Sequence, residues 1–145
     1  MSTEANKAIV RRFYKEAFEQ GNLAVLDEIL APNSVDSGPN ALPGMPTGPE
    51  GAKMAITMYR TAFPDLHFTI DEQVAEGNTV VTRWSSHGTN TGELAGMPAT
   101  GKPATVVGVG IDRIEHGKIV ESWGTFDQFG MLQQLGVIPA PSQAG

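Results

Sequence analysis

The chain has 145 residues, no cysteine, and ten basic against sixteen acidic side chains, for a net charge of −6. That length suits one domain with a real core, and the missing cysteines exclude disulfides, a thiol nucleophile and thiolate metal sites. The scattered acidic balance argues against nucleic acid, which needs a concentrated basic face, and against an anionic membrane surface.

The first helix is predicted from Thr3, as its N-cap, to Gln20, with Gly21 as its stop. Val10, Tyr14 and Phe18 recur at four-residue spacing along it, beside Ile9, Phe13 and Ala17, and make a wide apolar face. Asn22 is placed to cap a short second helix carrying Leu23, Leu26, Ile29 and Leu30, and Pro32 follows its end. Residues 33–48, "NSVDSGPNALPGMPTG", form a Pro/Gly-rich ordered loop with room for a short edge strand, able to lid a cavity. Pro49 opens a third helix to about Phe63, where Pro64 forbids continuation.

The second half changes period from 3.6 to 2. "LHFTIDEQVAEGNTVVTRWSSHGT" reads as two strands turning at Gly77-Asn78, and "ATVVGVGIDRIEHGKIVESWGTFD" as two more turning at His116-Gly117. Asp127 and "QFGMLQQLG" then suit a strand-to-helix junction with a short closing helix. The expected architecture is α+β: a single domain over 1–145 with helices packed on one face of a curved antiparallel sheet, its ends at about 1–5 and 138–145 flexible. His67, His87 and His116 stand apart without metal-ligand spacing, so neither metal nor cofactor is expected. No run reaches membrane-spanning length and the first residues lack a signal-peptide core, which gives a cytoplasmic expectation.

A uniform register through the His116-Gly117 turn pairs Ile114 with Ile119. It puts Gly110 opposite Trp123 and Gly108 opposite Thr125, on one face with Asp112 and Asp127. Two glycines beside a large ring and a carboxylate suit the wall of a ligand cavity; they equally suit sheet curvature with Trp123 in the core. The opposite face carries Val107, Val109, Ile111, Val120 and Phe126. A sheet apolar on both sides must cover both, so a homodimer packed sheet to sheet is expected.

Four segments resemble a known family: "PGMPTGPEG" at 43–51, "FPDLHFTI" at 63–70, "GTNTGELAGMPATGK" at 88–102 and "DRIEHGKIVESWGTFDQFGMLQQLG" at 112–136. With the helix-then-meander order, they are similar to the SnoaL-like polyketide (ester) cyclases of the nuclear-transport-factor-2-like superfamily, which implies that superfamily's cone-shaped fold. The resemblance further implies intramolecular aldol condensation on a small apolar polyketide carbonyl substrate, without metal or cofactor, by an aspartate acid/base in an apolar pocket. Asp127 is the position that fits the aspartate. Relatives commonly carry His where this chain has Asn90, and Asp-His where it has Asp36-Ser37.

Burial among aromatic rings would raise the pKa of Asp127 and make it a better base at carbon. Arg83, His87, the Trp84 indole and Tyr14 are the candidate donors to an enolate. Pairing through Gly77-Asn78 sets Arg83 across from Glu72, on a solvated face that His87 shares by parity, and leaves Trp84 facing the pocket. Trp123 lines rather than reacts, Tyr14 brings a hydroxyl that needs a partner, and Asn90 marks the histidine position of the relatives. Three functions stay open: proton abstraction beside a carbonyl; a lidded epoxide hydrolase or dehydratase with Tyr14 or Asn40 holding water; and a non-catalytic small-molecule binder or dimerisation module in which Asp127 only caps a helix.

Overall fold

The computed structural model describes residues 2–139. Helix α1 runs Thr3–Arg12 and is capped by Ser2, whose Oγ accepts the Ala5 N–H at 3.0 Å. The cap thus sits one residue earlier than Thr3, and residues 3–5 form the first helical turn. The apolar stripe continues past Arg12 in a wider π-helical segment, Phe13–Glu19, which carries Tyr14 and Phe18. π-Helical turns are rare and frequently lie at functional sites. Gly21 ends the segment at φ +73°, and Arg60 donates to the freed carbonyls of Phe18 (3.0 Å) and Glu19. Helix α2 is only Val25–Ile29.

The predicted helix end and loop start instead form strand β1, Leu30–Asp36. Pro32 is tolerated because β1 is an edge strand. Helix α3 (Pro49–Ala62) follows, then β2 (His67–Glu76), β3 (Thr79–Thr89), β4 (Pro103–Glu115), β5 (Lys118–Phe126) and helix α4 (Gln128–Gln134). The five strands form one sheet in the order β1-β5-β4-β3-β2, antiparallel except for β1, which runs parallel to β5. The α+β class holds, with one parallel pair added to the expected meander. Both hairpin turns fall as expected, and His116 and Gly117 take φ of +53° and +76°. The expected flexible end beyond Pro139 lies outside the described residues.

Helices cover the inner face. Val10, Leu26, Ile29 and Ile56 pack there on Val80 and Ile119, and a second cluster sets Phe63, Leu94 and Leu135 against Val106. Burying this much aliphatic and aromatic surface drives the fold. Asn90, fully buried, ties down the loop between β3 and β4. Its amide donates to the Ala62 and Gly92 carbonyls at 3.3 and 2.8 Å, and its Oδ1 accepts from Thr100 N and Oγ1, both at 2.9 Å.

One residue corrects the expected faces of the last hairpin. Ile114 pairs with Ile119, but Arg113 pairs with Glu121, so Val120 is an unpaired bulge residue. Beyond it every partner shifts by one and every side chain changes side. Gly110 lies opposite Gly124 and Gly108 opposite Phe126, while Trp123 pairs with Ile111 and Thr125 with Val109. The inner row of β5 is therefore Ser122, Gly124 and Phe126. Trp123 is on the outer face, 41% exposed, near Ile111 and Val107. That face also carries the ion pairs Arg83–Glu72 at 3.5 Å and Arg113–Glu121 at 2.5 Å.

Candidate active site

An apolar cavity of about 220 Å³ opens between the inner face of the sheet, the π-helical segment and α3. Its aromatic wall includes Tyr14, Phe18, Tyr59, Phe68, Trp84 and Phe126. Ring centroids lie 5.2 Å apart for Phe68–Trp84, 6.1 Å for both Tyr14–Trp84 and Tyr59–Phe126, and 6.4 Å for Trp84–Phe126. Beneath these rings lie the two glycines of β4. A Cβ on Gly108 would overlap the Trp84 ring, and one on Gly110 would meet the Tyr14 hydroxyl at 2.5 Å. The glycines admit a close approach of aromatic rings to the sheet.

Few polar groups reach this wall. Asp36, the last residue of β1, is the one carboxylate on it among the described residues, and its Oδ1 accepts the Gly38 N–H at 3.0 Å. Asp36 is an exposed residue, as Asp127 is, but desolvation on its cavity side still raises its pKa, against the pull of the Gly38 and Gly124 N–H groups. The Tyr59 hydroxyl is pushed up by burial and then by the charge of Asp36. Tyr14 is pushed up by burial and then by the charges of Asp112 and Asp36, with the Trp84 indole acting in the opposite sense. Both phenols therefore stay protonated and able to donate.

Behind the wall, on the glycine row of β4, lies Asp112, buried at 7% exposure. Its Oδ1 accepts the Ser122 hydroxyl at 2.5 Å. Burial raises its pKa to about 6, the Ser122 bond opposes this, and the charge of Asp36 adds to it. A second chamber of about 220 Å³ adjoins the first, between β1, the start of α3 and the 41–48 part of the loop, with Ser34, Asp36, Thr47 and Ser122 on its wall. Asn40 closes the β5 edge beside the first chamber, where its Oδ1 accepts from Phe126 N (2.9 Å) and Thr125 Oγ1 (3.1 Å).

The structure gathers some of the predicted residues and disperses others. Tyr14 and Trp84 line the cavity, Gly108 and Gly110 lie under them, and Thr125 meets it where Asn40 seals the edge. Trp123 does not line it, because the Val120 bulge turns it outward. Arg83 pairs with Glu72, and the exposed His87 makes a 3.1 Å contact between Nδ1 and Thr105 Oγ1, so both stay on the outer face. Asn90 is occupied in its loop. Asp127 lies outside the cavity: it is exposed, and its Oδ1 accepts the Gly130 N–H at 2.9 Å as the N-cap of α4. Asp36, Tyr59 and Asp112 were not singled out from sequence. Two of them left a signal there: Asp36 as the acid that matches the Asp-His pair of the resembling family, and Asp112 as the acid that continues the alternate row Gly108, Gly110.

The family model for SnoaL-like polyketide cyclases matches residues 8–135. The aklanonic acid methyl ester cyclase DnrD of Streptomyces peucetius is 32% identical, over all of this chain and 98% of its own length. Among solved structures, TsrD from Streptomyces laurentii superposes with a TM-score of 0.86 at 28% identity, covering 95% of this chain and 99% of its own. IdmH from Streptomyces antibioticus superposes at 0.78 with 34% identity, covering 90% and 98%. The aromatic chamber under a mixed sheet is thus that of a cyclase-type enzyme, and the chain belongs to the SnoaL-like polyketide cyclase family.

Proposed function

We propose that this enzyme closes a ring by intramolecular aldol condensation on a small apolar carbonyl substrate, with Asp36 rather than Asp127 as its acid/base. The position of Asp36 carries the reading: a carboxylate on the wall of an apolar cavity, its pKa raised by desolvation, near two protonated phenols. Asp36 removes a proton from the carbon beside a carbonyl, and the enolate oxygen takes a hydrogen bond from Tyr59 or Tyr14. The enolate carbon attacks a second carbonyl of the same molecule. The protonated Asp36 then returns its proton to the new alkoxide, so atoms and charge balance. The name of the similar Streptomyces peucetius cyclase, which acts on aklanonic acid methyl ester, supports a carbonyl-rich substrate. The hydrolase reading is weakened because Asn40, one of its two candidate water holders, already binds Thr125, Phe126 and Gln128.

Asp36→Asn is expected to lower turnover by about 10²–10⁴-fold with the fold intact, the range for a positioned acid/base. Asp127→Asn is expected to keep turnover. The reverse pattern would return the acid/base role to Asp127. We also propose a homodimer through the outer face of the sheet, where Val107, Ile111 and Trp123 stand exposed between ion pairs.

A further inference from the structure

Asp112 is the buried acid that the proposed chemistry leaves unused, and the sheet places it in line with Asp36. Asp36 pairs with Ser122 in the β1–β5 register, and Ser122 pairs with Asp112 in the β4–β5 register. Residues opposed in register share a face, so acid, hydroxyl and acid stand side by side across three adjacent strands. Ser122 Oγ donates to Asp112 Oδ1 at 2.5 Å, so the hydroxyl between the two acids is held by the inner one.

The two phenols of the chamber stand differently to this row. Tyr14 is beside it: its hydroxyl and Asp112 Oδ2 lie 2.5 and 3.8 Å from the point where a Gly110 Cβ would be. Tyr59 packs against Phe126, with ring centroids 6.1 Å apart. Phe126 is four residues beyond Ser122 on β5, about 13 Å along the strand. Accordingly the charge of Asp112 acts on Tyr14, whereas the charge acting on Tyr59 is that of Asp36.

We propose that Asp112 is a positioning residue for the reaction: when charged, it drives negative charge from Asp36 to an enolate oxygen held by Tyr59, and disfavours an enolate held by Tyr14. The inference rests on Asp36 being the acid/base and specifies which phenol serves it.

Coulomb repulsion gives the sign. Proton abstraction moves one negative charge off Asp36 and onto the substrate oxygen. With a second charge fixed on Asp112, that movement is opposed where the oxygen ends beside Asp112 and favoured where it ends farther away. Tyr14 meets the first condition, and the Tyr59 end of the chamber meets the second. No cation offsets the effect: β3 sets Val80 opposite Asp112, and the neighbouring Arg113 turns outward to Glu121. Asp112 gives up its proton near pH 6, so the effect is present above that pH and absent below it.

The test is deuterium exchange beside the carbonyl of β-tetralone, a small bicyclic ketone, followed by NMR between about pH 4 and 8. The parent should show two rises in rate, the lower from Asp36 and the upper centred near pH 6. The upper rise should be about threefold, the effect on a half-transferred proton of a charge about two strand spacings away. Asp112→Asn should show the lower rise alone. Ser122→Ala removes a bond that favours the charged form of Asp112, and should move the upper rise to higher pH. At pH 8, Tyr59→Phe should lose about a hundredfold in rate, and Tyr14→Phe no more than about threefold.

An upper rise that persists in Asp112→Asn, or a Tyr14→Phe loss as large as that of Tyr59→Phe, would overturn the inference. The active-site reading would survive either result provided Asp36→Asn abolishes exchange. Should Asp112→Asn not fold, an upper rise unmoved by Ser122→Ala overturns the inference instead. Exchange that survives Asp36→Asn, or a parent no faster than buffer, would remove both the inference and the reading beneath it.

Discussion

Asp112 is the one charged residue type in the buried set of the described residues, and the protein bears the consequence at neutral pH. Its pKa rises from an ordinary 3.8 to about 6 on folding. Below about pH 4 both folded and unfolded chains hold this proton, and it has no effect on stability. Between about 4 and 6 the unfolded chain has released the proton while the folded one keeps it, so stability falls as pH rises. Above 6 the folded core must carry the charge. At about 1.4 kcal/mol per unit, a shift of roughly two units sets a ceiling near 3 kcal/mol. Asp112→Asn, its carbonyl still accepting from Ser122, should therefore melt higher than the parent at pH 8 and show a flatter profile from pH 4 to 6. Profiles of equal slope would detach the effect from Asp112. The glycines offer a second contrast. Gly108→Ala drives a methyl into Trp84 and should destabilise by about 1–3 kcal/mol. Gly124→Ala, whose new Cβ meets nothing nearer than Val109 O at 4.0 Å, should melt with the parent.

At the scale of elements, what could be read from sequence was whatever short-range chemistry decides. Gly77-Asn78 and His116-Gly117 fix both hairpin turns, Pro49 opens α3, and the Arg83–Glu72 pairing follows from the first turn. The short edge strand allowed within residues 33–48 is present as the end of β1, but its start at Leu30 and its parallel partner are not legible, because its residues pair with β5, some ninety positions away, and Pro32 reads as a breaker until the strand is known to lie at an edge. The Val120 bulge escaped because nothing in "HGKIVES" announces an unpaired residue, and Trp123 and Thr125 were assigned to the wrong face with it. Asp36 was hidden by the same long-range pairing: within "NSVDSGPN" it looks like a loop residue. Asn90 carries a prediction at this scale. With its donors and acceptor all engaged across the β3–β4 loop, Asn90→Ala leaves several buried groups unpaired and should cost about 2–4 kcal/mol, measurable by denaturant midpoint.

For the whole molecule, the question is what becomes of the outer face. Val107, Ile111 and Trp123 stand 57%, 38% and 41% exposed on adjoining strands, flanked by ion pairs of both signs. In the proposed twofold dimer the acidic ends of these pairs on one copy would meet basic ends on the other. The proposed dimer should have twice the chain mass by light scattering at micromolar concentration. Trp123→Lys should reduce it to a monomer with the aromatic chamber intact; a parent that already scatters as a monomer would remove the dimer. Among the described residues no helix is long and apolar enough to cross a membrane.

The bulge at Val120 has one more consequence. It makes the lining of the chamber a matter of counting as well as chemistry. Drawing Val120 into the ladder would exchange the whole inner row of β5, withdrawing Ser122, Gly124 and Phe126 and presenting Trp123 and Thr125 in their place, whereas deleting Val120 would straighten the strand and leave every pair beyond it unchanged. The extra residue is therefore tolerated only while it stays out of the pairing. An alignment of this chain with another family member across β5 compares cavity with cavity where both keep the bulge, or where the other lacks the residue itself and a gap is placed at Val120.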